Sequence, residues 1–253
     1  MALWRCSLTQ ALRQSEQWAA RGWLTALDPI PWPQTPLCAY LRRLSQDVLR
    51  MPAGMHVSVK PWMCATGSDA DISQALATLP EGVVYRLDSA GVGDVDRLLD
   101  VYRSVRSHRS DMRIALAARL PRTSADLEAL GDLAYGVRLV KGAADDHSDA
   151  SERVERGRLL ITLGARLAGA GLHPGICTGD VALWDHLRDW PQNSAEIEAP
   201  ALPEALAHAS MTPQPLRIYL PYGAAAVWFG AVRLLRSSGL RRRVTQSTRR
   251  RVQ

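Results

Sequence analysis

Two periods of apolar and polar residues alternate along this chain. Short aliphatic and β-branched runs recur at 23–28, 55–60, 82–88, 113–120, 135–142, 173–180, 194–199 and 215–223. Each is short enough for a buried strand, and most are followed by a longer stretch with helical spacing of apolar residues. Helices are expected over 8–20, 37–50, 69–79, 92–108, 123–134, 151–171, 181–190, 201–210 and 224–238. The stretch "PIPWPQTP" after the first strand breaks regular structure, because proline lacks an N–H and restricts its neighbour. Pro221 and Gly223 are expected to stop the last strand.

Up to eight strand–helix units at similar spacing imply a parallel sheet. An open doubly wound sheet and a closed (β/α)8 barrel both satisfy the pattern. The length, 253 residues, is typical of the barrel. Neither a G-x-G-x-x-G after the first strand nor a G-x-x-x-x-G-K-[ST] occurs, which removes support for dinucleotide and P-loop folds. The expectation is a (β/α)8 TIM-type barrel, distorted, over 1–238 with a helical segment before the first strand. A basic, disordered tail is expected over 239–253.

Composition changes this picture little. Hydrophobic residues make up 47% of the chain, which fits an ordered globular protein. The net charge is +6, much of it from six arginines between Arg241 and Arg251. A solvated terminus is the expectation there, with no nucleic acid as partner and a peripheral membrane contact left open. Cys6, Cys38, Cys64 and Cys177 form no C-x-x-C pair, and the six histidines have no H-x-x-x-H or H-E-x-x-H spacing, so neither a disulfide framework nor a metal site is expected. Without a leader-like start or a membrane-length apolar run, the expected location is the cytoplasm.

Function in such a barrel gathers at the C-terminal ends of the strands. Lys60, Asp88, Lys141 and Thr178 end predicted strands, Arg138 lies within the fifth, and Tyr219 lies in the eighth. Of 31 basic residues only Lys60 and Lys141 are lysine, and both fall on this rim. Glu196 and Glu198 share a strand face and either cap the barrel base or pair with arginines.

The runs "SVK", "RLD", "VRLVKGA", "CTGD" and "RIYLPYG", followed by a helix carrying an arginine, resemble the proline dehydrogenase family from about Trp23 to Arg236. The resemblance implies a distorted (β/α)8 barrel, FAD as cofactor and oxidation of a CH–NH bond. It implies that Asp88 and Arg138 are catalytic, with Arg138 near the flavin. It places Lys60, Tyr219, Phe229, Arg233 and Ala144 around the substrate. Ser89, Ala117, Lys141, Gly142, Ala143, Thr178 and Gly179 fall at flavin-contacting positions.

Departures are concentrated in the same places. Ala144 and Phe229 stand where the family has tyrosine, Val232 where it has the first of two arginines, and Arg236 where it has glutamate. Ala117 replaces a glutamine, Gly179 a histidine and Ala90 an acidic residue. Loss of an arginine removes a bidentate grip on a carboxylate. The expected function is therefore a flavin-dependent amine dehydrogenase or oxidase acting on an amino acid or derived amine other than proline, with a quinone or O2 as acceptor. A proline dehydrogenase with a weakened carboxylate grip and an inactive partner subunit remain as alternatives.

Overall fold

The computed structural model describes residues 7–64, 68–88, 94–141, 150–200, 203–208 and 213–227. Helix α1 (Leu8–Ala19) opens on a capping box. The Ser7 hydroxyl accepts from the Gln10 N–H, and the Gln10 side chain accepts from the Ser7 N–H. Its apolar face, with Leu8, Ala11 and Trp18, is buried. The chain then continues through β1 (Leu24–Pro29), α2 (Leu37–Val48), β2 (His56–Val59), α3 (Asp69–Ala77), β3 (Val84–Leu87) and α4 (Val95–Arg106). The second half comprises β4 (Met112–Ala117), α5 (Thr123–Leu130), β5 (Arg138–Val140), α6 (Ala150–Gly169), β6 (Gly175–Cys177), β7 (Glu196–Pro200), α7 (Pro203–His208) and β8 (Leu216–Tyr222). Short 3-10 helices cover Pro61–Met63, Gly131–Ala134 and Val181–Leu187.

The eight strands pair in parallel, in sequence order, and β8 closes on β1. This is the expected (β/α)8 barrel. Alternation along each strand sends one set of side chains to the helices and the other into the lumen. The helix-facing set is apolar and buried: Leu27, Val57, Val59, Leu87, Ile114, Leu116, Leu139, Ile176, Ile197 and Ile218. Each such side chain contributes about 1.5–3 kcal/mol by leaving water.

The lumen-facing set is unusual for this architecture, where branched aliphatics dominate. Here it includes Asp28, Lys60, Arg86, Asp88, Arg138, Glu198 and Arg217, all buried, together with Glu196. Four cations and four carboxylates thus fill the inside of the barrel. Buried charge is tolerated only when paired, and these groups are.

Two expectations change. The helix expected over 181–190 is shorter, a 3-10 helix at Val181–Leu187. Of the two residues expected to stop β8, only Gly223 does so, and the strand runs through Pro221 to Tyr222. The reason is the side on which proline's missing N–H falls. The Tyr222 carbonyl accepts from Ile30 on the β1 side, so Pro221 faces β7, and β7 has already ended at Pro200, opposite Tyr219. No ladder bond is lost. Most of the predicted helix over 224–238 and the tail over 239–253 lie outside the described residues. No helix among the described residues is long and apolar enough to cross a membrane.

Candidate active site

The C-terminal mouth of the barrel is organised by a belt of ion pairs that passes from strand to strand. Lys60 follows β2 and is buried. Its ammonium donates to Asp28 Oδ2 at 2.6 Å and to Asp88 Oδ2 at 2.9 Å. Its backbone N–H donates to the Tyr40 hydroxyl of α2 at 3.4 Å, which holds the end of β2 against the helix layer. Asp88, just after β3, also accepts from Arg138 Nη1 at 3.2 Å. Arg138 of β5 then reaches Glu198 Oε1 of β7 at 2.7 Å and donates to Cys177 Sγ of β6 at 3.1 Å. Its guanidinium lies 5.3 Å from the centre of the Tyr219 ring, a cation–π contact. The Tyr219 hydroxyl of β8 donates to Asp28 Oδ2 and closes the belt at β1. At the level of the belt, strand β4 presents Ala115 and Ala117 on the lumen side, its Arg113 lying lower beside Arg86, so the belt has a gap there with no side chain beyond Cβ.

A second layer lies beneath. Arg217 forms a bidentate pair with Glu196 at 2.7 and 2.8 Å. Arg86 sits between Glu196, at 3.4 Å, and Glu198. Glu198 therefore ties the two layers together. His56 enters this layer, and burial together with Arg86, Arg217 and Arg113 holds its imidazole far below its ordinary value, so it is neutral.

The belt fixes charge states. Burial pushes the Asp88 carboxyl up, but Lys60 and Arg138 together outweigh it and hold the group below the usual carboxylate range. Burial opposes the charge on Arg138, yet Cys177, Glu198 and Asp88 hold it well above its ordinary value. Asp88 is thus an ionised acceptor at neutral pH. A general base would need a value close to the working pH.

Beside the belt, Lys141 follows β5 and pairs with Asp180 at 2.8 Å. Thr178 follows β6. Its N–H donates to the Glu198 carbonyl at 3.0 Å, and its hydroxyl accepts from the Asp180 N–H at 3.1 Å. Gly179 lies in the turn that leads to the Val181–Leu187 helix. Ala117 ends β4 and anchors α5 through its carbonyl, which accepts from the Thr123 hydroxyl at 2.7 Å. Further out, Arg119, Glu152, Glu155, Arg156 and Leu159 line an open cleft of about 400 Å³ between the end of β4 and the first turns of α6.

Lys60, Asp88, Arg138 and Tyr219 are therefore brought into one connected group, with Lys141, Thr178, Gly179 and Ala117 on the adjoining β4–β6 side. Ser89, Gly142, Ala143, Ala144, Phe229 and Arg233 lie outside the described residues. Asp28, Arg86, Cys177 and Arg217 join the site in addition to the residues expected from the sequence. Asp28 carried a usable signal, since it ends its strand as Lys60 and Asp88 end theirs. The following Pro29 made it look like the start of a loop. No group of histidine, cysteine and carboxylate side chains among the described residues is arranged to hold a metal.

No family model matches this sequence, and no curated protein matches it. Among solved structures, the chain is similar to proline utilization A (PutA) from Bdellovibrio bacteriovorus, in a crystal structure of the enzyme inactivated by N-propargylglycine. Sequence identity is 16%, and the TM-score is 0.71 over 94% of this chain and 33% of that one. The likeness is one of fold, and this chain spans about a third of the length of that protein.

Proposed function

We propose that this protein is a flavin-dependent oxidoreductase that removes hydride from a carbon bonded to nitrogen in an amine or amino acid other than proline. The observation that carries this reading is the belt itself. Lys60, Asp88 and Arg138 converge at the C-terminal mouth of a barrel whose fold is similar to that of PutA.

The residues present fit FAD. Arg138 Nε is a buried donor without a partner among the described residues. The alanines on β4 leave a flat stretch of wall beside it. Arg138, Lys141 and Thr178 would hold the cofactor. When bound, FAD supplies the acceptor for the hydride.

The chain's own groups set orientation and electrostatics. Arg138 keeps a positive charge at the mouth, where it favours developing negative charge. Asp88, held ionised, accepts hydrogen bonds and fixes Lys60. Lys60 has one ammonium hydrogen beyond the two given to Asp28 and Asp88, and that hydrogen is directed to an acidic or carbonyl group of the substrate. Loss of a hydride from carbon and a proton from nitrogen leaves an imine. Val232, at the position of a family arginine, argues for a substrate that relies less on a carboxylate grip than proline does.

Visible absorbance of the purified full chain tests this reading. A flavin spectrum that bleaches anaerobically with one member of an amine and amino-acid panel, and less with proline, is the expected result. A colourless protein that takes up no FAD on reconstitution overturns it. Removal of residues 239–253 is expected to leave the flavin spectrum unchanged.

A further inference from the structure

We propose that Asp28 is a positioning residue of this site, which fixes the Lys60 ammonium and the Tyr219 hydroxyl in the arrangement that meets the substrate. The proposal rests on the reading of the mouth given above and deepens it. Asp28 is fully buried, and a single oxygen, Oδ2, takes both the Lys60 ammonium at 2.6 Å and the Tyr219 hydroxyl. Its other oxygen, Oδ1, is buried with no hydrogen-bond partner among the described residues.

A fold under no further constraint has little use for this arrangement. Taking a carboxylate out of water is unfavourable by several kcal/mol unless its partners compensate, and leaving one oxygen unmatched adds to that. Neutralising Lys60 does not require it, because Asp88 already contacts the same ammonium. What two carboxylates achieve and one does not is direction. The lysine stem has four rotatable bonds, and a single contact leaves the ammonium free to swing about it. Contacts from β1 and β3 on opposite sides of β2 pin it, with one hydrogen left for a ligand. The Tyr219 hydroxyl, donated to the same oxygen, is turned inward, so its ring stays under Arg138. Strands β8, β1, β2 and β3 are thereby locked at the level of the site.

The chain's two lysines make this testable without an assay of activity. Protein labelled with 15N-lysine carries two side-chain ammonium groups, Lys60 and Lys141. In the wild type, Lys60 is expected to give a sharp signal whose hydrogens exchange slowly with water. Asp28→Asn keeps the shape and removes the charge. It is expected to broaden or abolish the Lys60 signal and to leave Lys141 unchanged. Asp47→Asn is the control, because Asp47 is a buried carboxylate that accepts from Tyr222 at 2.8 Å and does not touch Lys60. It is expected to leave Lys60 as in the wild type. If Asp28→Asn does not fold, Asp28→Glu keeps the charge and displaces it by one methylene, with the expectation of a shifted Lys60 signal. An unchanged Lys60 signal in the folded Asp28 variant, or an equal loss in Asp47→Asn, overturns the proposal.

On a flavin-loaded enzyme, Asp28→Asn is expected to raise KM for the substrate about tenfold, the size of one charge-assisted hydrogen bond, with FAD content unchanged. Absence of flavin in the wild type would defeat the functional reading alone, since the ammonium signals do not depend on the cofactor.

Discussion

His56 is the residue whose environment speaks most directly to solution behaviour. It enters the lumen beside three guanidinium groups and is held neutral there, with Nδ1 buried and unpartnered. The unfolded chain takes up a proton on this imidazole near its ordinary value of about 6.5, while the folded chain does not. The stabilising contribution of neutral His56 is therefore complete above that value and is lost as pH falls below it. The limiting slope is about 1.4 kcal/mol per pH unit. Denaturant titrations between about pH 7 and pH 5 are expected to show this slope in the wild type and a flatter one in His56→Gln. Asp88 acts in the same direction at lower pH. Its folded value is depressed, so its contribution is present above the ordinary carboxylate range and disappears as pH falls through the folded value. Asp88→Asn should remove that part of the acid limb, read as a smaller loss of stability on acidification. Arg138 differs because its loss leaves both Asp88 and Glu198 short of a partner. Arg138→Met is expected to destabilise the fold by about 3–5 kcal/mol, measured by chemical denaturation.

At the scale of elements, helix α6 packs on β6 through a glycine. A Cβ on Gly164 would lie 2.6 Å from Ile176 Cδ1 and 2.8 Å from the Trp190 ring. Both neighbours belong to the packed layer outside the barrel, so Gly164→Ala is expected to lower stability by about 1–3 kcal/mol and to reduce Tm in a thermal scan. The elements were largely legible in the sequence because each strand's helix-facing half is an aliphatic run, as in Val57 with Val59 or Ile114 with Leu116. The same runs hid the lumen. Arg86, Glu196 and Arg217 alternate with apolar residues in the way of strands that expose one face to water, and only barrel closure turns that face inward. Pro221 does not end its strand because its effect depends on where the neighbouring strand ends, which is a matter of register. The helix after β6 was legible but not its 3-10 form, because apolar spacing over one or two turns does not separate the two forms.

The whole molecule is a barrel filled with salt. Arg86 and Glu198, at its centre, are buried and joined, and Arg86 also leans on Glu196. Breaking such a pair from one side leaves a naked charge, whereas replacing both partners removes the need for either. Arg86→Met alone is expected to destabilise the fold by about 3–5 kcal/mol, and Arg86→Met with Glu198→Met to recover part of that, since Arg138 then gives up Glu198, by equilibrium denaturation. Candidate chemistry was readable at Lys60, Asp88 and Arg138 from strand ends and a motif. In the second layer the shared face of Glu196 and Glu198 and their pairing with arginines were among the expectations, but not which arginines, because nothing in one strand reveals which charge another strand brings opposite it.

The bond between Tyr219 and Asp28 joins residues 191 positions apart. On a ribosome, Asp28 and Lys60 emerge before Tyr219 and wait for it. At about 5–20 residues per second that wait is roughly ten to forty seconds. During it, the nascent chain holds an ammonium and a carboxylate that belong inside a barrel with no eighth strand to close it. Synthesis order thus leaves the belt open until the eighth strand has been made, and a chain interrupted before it has the charges of the mouth without the mouth.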